Sequence, residues 1–210
     1  MTPLPFCDQP DFDRAIPQAA AHLRAGGILG YPTETVYGLG CVLEPAALER
    51  LAQLKGGRTE KSFLLVLGTP DQAEGLIWTP AARKLAAAFW PGPLTLALPA
   101  RSGRYPDRVV SAAGTVAIRV TAHSGVRQLL IYLGEPVSST SANLPGREPA
   151  STAAEVAELL TGATDADTLI LDAGRLPPAA PSTVVDCSET VPRIVRQGAI
   201  PYEALKDFLE

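Results

Sequence analysis

Twenty prolines are spread through the 210 residues from end to end, and they set the grain of any fold this chain can adopt. Proline fixes φ, lacks a backbone N–H and pushes the residue before it away from the helical region, so many short elements are implied. Between the breaks, apolar residues recur at two different periods. Helical spacing runs over 13–25, interrupted early by Pro17 and closed by Gly26-Gly27, and again over 45–54, stopping at Gly56-Gly57. Further helices are expected from Pro80 behind a Thr79 N-cap to about Phe89, over 124–133, over 153–160 and over 202–209. Thr152 and Glu155 have capping-box spacing. Strand-like runs cover 28–31, 63–67, 94–98, 116–120, 136–139 and 168–172, with a hairpin over 183–196. Helices alternating with strands predict an α/β fold on a mixed sheet, with residues 1–210 as one domain.

Bulk properties narrow the function. A net charge of −4 argues against a uniformly basic nucleic-acid surface, although a local basic groove remains compatible. Cys7, Cys41 and Cys187 are far apart and form no CxxC, which suits free thiols in a reducing compartment. No basic segment leads into an apolar run at the N-terminus, and no run approaches the ~20 residues of a membrane span. A cytoplasmic location with no membrane contact is expected. The only histidines are His22 and His123, so no HExxH site exists and no metal site is expected. GxSxG and GxGxxG are absent too, which weakens serine-hydrolase and Rossmann dehydrogenase readings.

The remaining polar segments point to anions. After Ile28-Leu29, the stretch YPTETVYGLG sets two threonines and a carboxylate where a strand gives way to a loop. Its hydroxyls either satisfy their own backbone or bind, and its glycines permit a tight turn or a close approach. In the run from Thr115 to Thr121, period two sends Val116, Ile118 and Val120 to one face and Arg119 to the other. A guanidinium in a buried strand needs an anionic partner, either an internal carboxylate or a substrate carboxylate or phosphate. Lys55, Arg58 and Lys61 surround a glycine turn that is either a solvated helix end or a phosphate site, and it lacks the spacing of a P-loop. Ser138 to Asn143, Pro181 to Asp186 and Arg193 to Gly198 add hydroxyls, an amide and Arg196. Each is compatible with a capped turn or with phosphate contact.

Taken in order, YPTETVYGLG, the lysine-arginine turn, WPGPLT, VAIRVTAH, STSAN, PSTVVD and RIVRQG match the sequence and approximate spacing of one family. The chain resembles the YrdC-like threonylcarbamoyl-AMP synthases, which begin threonylcarbamoyladenosine synthesis on transfer RNA. It looks like their short, single-domain branch, since it stops where longer relatives continue into a second domain. The resemblance implies a twisted mixed parallel and antiparallel sheet flanked by helices, with a concave cationic cavity. It implies a nucleotidyltransferase that joins L-threonine, bicarbonate and ATP, with Mg²⁺ carried by the nucleotide phosphates, and releases pyrophosphate.

By motif, Thr33, Arg119 and Ser182 would contact threonine. Lys55 and Arg58 would act in catalysis and, with Ser141 and Asn143, hold the phosphates; Thr115, Ser139 and Arg196 would join on the nucleotide side. The glycines at 38–40 and 56–57 are expected to close over the site. Downstream tRNA-modification proteins, and tRNA itself, are the implied partners. Two departures stand out: the pair reads Lys55-Gly-Gly-Arg58 where the family has Lys-x-Arg, and Val66 stands where many relatives have histidine. The alternatives are a module binding tRNA or double-stranded RNA, which the acidic balance disfavours, and a carbamoyl-transfer module, whose accompanying domains and zinc motifs are absent.

Overall fold

Side-chain caps fix where several of the helices begin. In a computed structural model of the chain, which describes residues 3–57, 62–144, 146–161 and 168–209, α1 spans Gln9–Arg24. It starts at Gln9 rather than 13 because the Asp8 carboxylate accepts the Asp11 N–H at 3.0 Å and Pro10 sits in the first turn. Pro17 lies in its interior without ending it. An interior proline costs about 3 kcal/mol, whereas burying Phe12, Ile16 and Leu23 contributes about 1.5–3 kcal/mol each. Burial wins.

The other helices keep close to their expected bounds. They are α2 (Pro45–Leu54), α3 (Pro80–Phe89), α4 (Ser124–Leu133), α5 (Ala153–Leu159) and α6 (Tyr202–Leu205), the last continued by a 3₁₀ turn over Lys206–Phe208. Thr79 Oγ1 accepts the Ala82 N–H at 3.1 Å. The box at α5 closes one residue early: Thr152 Oγ1 accepts from Glu155 N, while the Glu155 carboxylate accepts the Ser151 N–H at 2.6 Å.

Among the described residues the strands form one mixed sheet. In chain order they are β1 (Leu4–Pro5), β2 (Ile28–Tyr31), β3 (Gly38–Gly40), β4 (Leu64–Leu67), β5 (Leu94–Pro99), β6 (Thr115–Val120), β7 (Val137–Ser141), β8 (Thr168–Asp172), β9 (Thr183–Asp186) and β10 (Arg193–Arg196). The spatial order is β1-β8-β2-β3-β7-β4-β6-β5-β9-β10. Pairs β1/β8, β2/β8, β4/β6 and β5/β9 are parallel and the rest antiparallel. The core is aliphatic and continuous, from Leu23, Ile28 and Leu48 through Leu65, Leu96 and Ile118 to Leu130 and Ile170.

β3 corrects the expected glycine flap at 38–40. Gly38–Gly40 is a fully buried interior strand between β2 and β7, so it cannot swing over a site. Its glycines serve a close approach instead. A Cβ at Gly40 would stand 2.1 Å from the Ser138 carbonyl oxygen and 3.1 Å from Tyr31 Cε1. A Cβ at Gly38 would meet Tyr31 Cζ at 3.4 Å. The Tyr31 ring lies across both glycines, and its hydroxyl donates to Ser139 Oγ at 2.6 Å.

Candidate functional site

Sheet register collects the polar residues on one face. On β6, Val116, Ile118 and Val120 are buried on one side, and Thr115, Ala117 and Arg119 point to the other. Arg119 stands opposite Val66, which stands opposite Val137. Two residues along β7, Ser139 faces Leu64, and two further on Ser141 faces Gly38, itself opposite Tyr31. On the other flank Ala117 pairs with Ala97 and Ala97 with Asp186. Two residues away, Thr95 and Val184 therefore share the Arg119 face, as does Ser182 just before β9. Arg196 of β10 stands opposite Val184.

Strand twist brings the β2–β3 loop onto this face. β2 lies four strand steps from β6; at about 20–25° per step the two run nearly crosswise. The loop thereby reaches the carboxyl end of β6. Glu34 Oε1 lies 2.6 Å from Arg119 Nη2, and Thr35 Oγ1 lies 3.4 Å from both terminal guanidinium nitrogens. Arg119 Nε donates to the Gly92 carbonyl oxygen at 3.3 Å, and the Thr121 hydroxyl donates to Glu34 Oε2 at 2.6 Å. Burial alone would raise the Glu34 carboxyl, but the Arg119 guanidinium and the Thr121 hydroxyl outweigh it and hold the group below its ordinary range.

Thr33 sits one step away and is consumed by the turn. Its hydroxyl donates to the Val36 carbonyl oxygen at 2.7 Å and accepts the Thr35 and Val36 N–H groups. The hydroxyl against Arg119 belongs to Thr35, a residue that motif reading did not single out. Ser182 lies on the other flank. Its Oγ is 2.8 Å from Thr95 Oγ1 and accepts from Arg196 Nη2 at 3.0 Å, and Arg196 also donates twice to the Ser182 carbonyl oxygen. Partial burial and then the positive charge of Arg119 lower the Arg196 group, which places the two guanidiniums within each other's field. Thr95 is a second residue missed from sequence. Its signal was position: a hydroxyl in an apolar strand, on the same side as the arginine of the next strand.

A second polar corner lies beyond β7. Lys55 Nζ donates to the Ser141 carbonyl oxygen at 2.8 Å, to Asn143 Oδ1 at 2.8 Å and to the Asn143 carbonyl oxygen. Ser141 Oγ donates to Asn143 Oδ1 at 2.7 Å, and Asn143 Nδ2 donates to the Arg147 carbonyl oxygen. No carboxylate of a described residue neutralises this ammonium, and burial lowers it to about 8. Tyr31 links the corners: burial raises its phenol, while Ser139 and the charge of Arg119 partly offset the rise. Thr115 is held by Ser111, hydroxyl to hydroxyl at 2.7 Å. Extending the register by two residues sets it level with Ser141, about 13 Å along the strand from Arg119. Gly56 and Gly57 follow Lys55 with positive φ in an exposed turn. Arg58, like Lys61, lies outside the described residues.

Comparison with known proteins gives this geometry a lineage. The Sua5/YciO/YrdC family model, described as "Telomere recombination", matches residues 21–198. A threonylcarbamoyl-AMP synthase of Pyrococcus abyssi is 35% identical over 194 residues, covering 91% of this chain and 56% of that protein. One of Thiobacillus denitrificans is 42% identical over 144 residues, covering 67% of this chain and 76% of that protein. The crystal structure of P. abyssi Sua5 complexed with L-threonine superposes with a TM-score of 0.89 at 32% identity, covering 100% of this chain and 61% of that one. E. coli YciO superposes at 0.81 with 29% identity, covering 96% and 98%. The chain thus spans little more than half the length of the P. abyssi synthase. It belongs to the Sua5/YciO/YrdC family.

Proposed function

We propose that this chain is a nucleotidyltransferase that makes threonylcarbamoyl-AMP from L-threonine, bicarbonate and ATP. The threonine amine takes up bicarbonate with loss of water to form a carbamate. A carbamate oxygen then attacks the α-phosphorus, and the bond to the bridging oxygen of the β-phosphate breaks to release pyrophosphate. Both reactants are anions, so the chemistry needs alignment and cancelled charge more than proton transfer. The observation that carries this reading is the presence of Arg119, Arg196 and Lys55 along one sheet face with, among the described residues, a single carboxylate, Glu34, among their partners. The names of the relatives, one of them solved with L-threonine, support the same choice of substrates.

In this reading Arg119 and Ser182 take the threonine carboxylate, and Thr33 shapes the loop that presents Glu34 and Thr35. Lys55 and Arg58, with Ser141 and Asn143, hold the phosphates and steady the leaving pyrophosphate. Ser139, Thr115 and Arg196 lie on the nucleotide side. Among the described residues no three His, Cys, Asp or Glu side chains gather as a metal site. Mg²⁺ would arrive on the nucleotide phosphates, and no residue is assigned to it. The product would pass to downstream tRNA-modification proteins in the cytoplasm, with the sheet and its helices working as one domain. Among the described residues no helix is long and apolar enough to cross a membrane.

The test is pyrophosphate release from ATP, with threonine and bicarbonate each supplied or withheld. Release that requires both is expected. Release that persists without threonine, or none under any condition, sinks the proposal.

A further inference from the structure

A cavity of about 570 Å³ opens between α3 and α4, away from the Arg119 face. Val120, which ends β6, and Gly68, which follows β4, are both in its lining. The cavity thus lies outside the carboxyl ends of a parallel strand pair, a common place for ligands in open α/β sheets. Alternation turns Val120 away from Arg119, so the two sites occupy opposite faces of the sheet. Its volume is within the range of pockets that enclose a small organic molecule.

The walls specify the chemistry. The chain has two tryptophans, Trp78 and Trp90, and both line this cavity, edge to face with centroids 6.1 Å apart. Arg83 stacks over Trp78, 5.5 Å from the ring centroid. Arg127 of α4 completes the lining from the other side. Its Nε is shut off from solvent without a hydrogen-bond partner, and its guanidinium makes no ion pair among the described residues. Arg127 is half-buried, and an anion in the cavity would satisfy the unpartnered donor of its guanidinium. Asp71 is exposed in the same lining and would repel a polyanion, which favours a single negative charge.

We propose that this cavity is a second binding site, for a small carboxylate borne on a flat aromatic body. The carboxylate would accept from the Arg127 guanidinium, and the ring would pack against Trp78 and Trp90. Because the two tryptophans are the only ones in the chain, their emission reports on this cavity alone.

Benzoate is the probe, titrated into the whole protein and followed by tryptophan fluorescence and calorimetry. Benzamide tests the need for charge, acetate the need for a ring, and inorganic phosphate the alternative anion. Saturable benzoate binding is expected, with benzamide, acetate and phosphate each at least tenfold weaker. Arg127→Met should weaken benzoate at least tenfold without lowering the thermal midpoint, since Met keeps the apolar stem and removes a guanidinium whose Nε has no partner. The proposal is overturned if benzoate gives no saturable signal at millimolar concentration, or if benzamide, acetate or phosphate binds as well. It is equally overturned if a folded Arg127→Met protein binds benzoate like the parent. The wild-type series decides the matter even if that variant does not fold.

Discussion

Arg119 and Lys55 reach the same sheet face, yet the fold holds them in opposite states. The guanidinium is buried beside a carboxylate, fixed by Glu34, Thr35 and the Gly92 carbonyl. Among the described residues the ammonium has three oxygen partners, and every one belongs to a neutral carbonyl or amide. A guanidinium stays charged in any setting, so it can be stored in an ion pair and still offer a free edge to an incoming carboxylate. An ammonium without a counter-charge is pushed towards neutrality, here to about 8, and gains most when an anion arrives. One corner is built for orientation, the other for attraction.

The largest expected effect comes from breaking the orienting corner. Arg119→Ala should cut threonine-dependent pyrophosphate release at least a hundredfold, about 2.7 kcal/mol in the barrier. It should also destabilise the fold by about 3–5 kcal/mol, because Glu34 is left as an unpaired, largely buried charge. Adding Glu34→Gln separates the two losses: the double variant should regain stability in chemical denaturation but no activity. Full turnover in either variant would remove Arg119 from threonine binding. Less is expected at the attracting corner. Lys55→Met should weaken ATP binding by about 10- to 100-fold in calorimetry, the range of one charge-assisted contact. Its unfolding midpoint should move little, because lost hydrogen bonds are offset by relief of a poorly solvated charge.

This contrast marks how far the sequence was readable. Periodicity gave the parity of β6 and hence the face on which Arg119 stands, and caps at Thr79 and Thr152 gave two helix starts. Those signals are local, within a few residues of one another. That Glu34 rather than a substrate alone would answer Arg119 was left open, because it depends on twist accumulated over four strands. The same holds for Thr95, whose hydroxyl gains meaning only when β5 is laid beside β6. Gly38 and Gly40 misled for a related reason: a glycine pair reads alike whether it frees a loop or admits a tyrosine ring across a strand. Thr35, whose hydroxyl faces Arg119, carries no such local signal, because that contact exists only once the β2–β3 loop folds across the sheet. α1 begins early because Asp8 caps it ahead of Pro10, and it runs through Pro17 because burial along its apolar stripe outweighs one interior proline.

The smallest effect is the sharpest test of the comparison, since pH should move one corner and leave the other still. Glu34 is held below its ordinary value and stays ionised, so the orienting corner is constant from pH 7.5 to 9. Lys55 titrates near 8 instead of 10.5. At pH 9 about one molecule in eleven keeps the charge, so ATP should bind about tenfold more weakly than at neutral pH, with a proton taken up on binding. Folding stability should respond with the opposite sign. The unfolded chain binds more protons than the native one between about 8 and 10.5, so the ligand-free protein gains stability as pH rises through that window. Lys55→Arg, charged throughout, should flatten both curves. An ATP affinity that falls equally with pH in Lys55→Arg would assign the titration to another group and dissolve the distinction between the two corners.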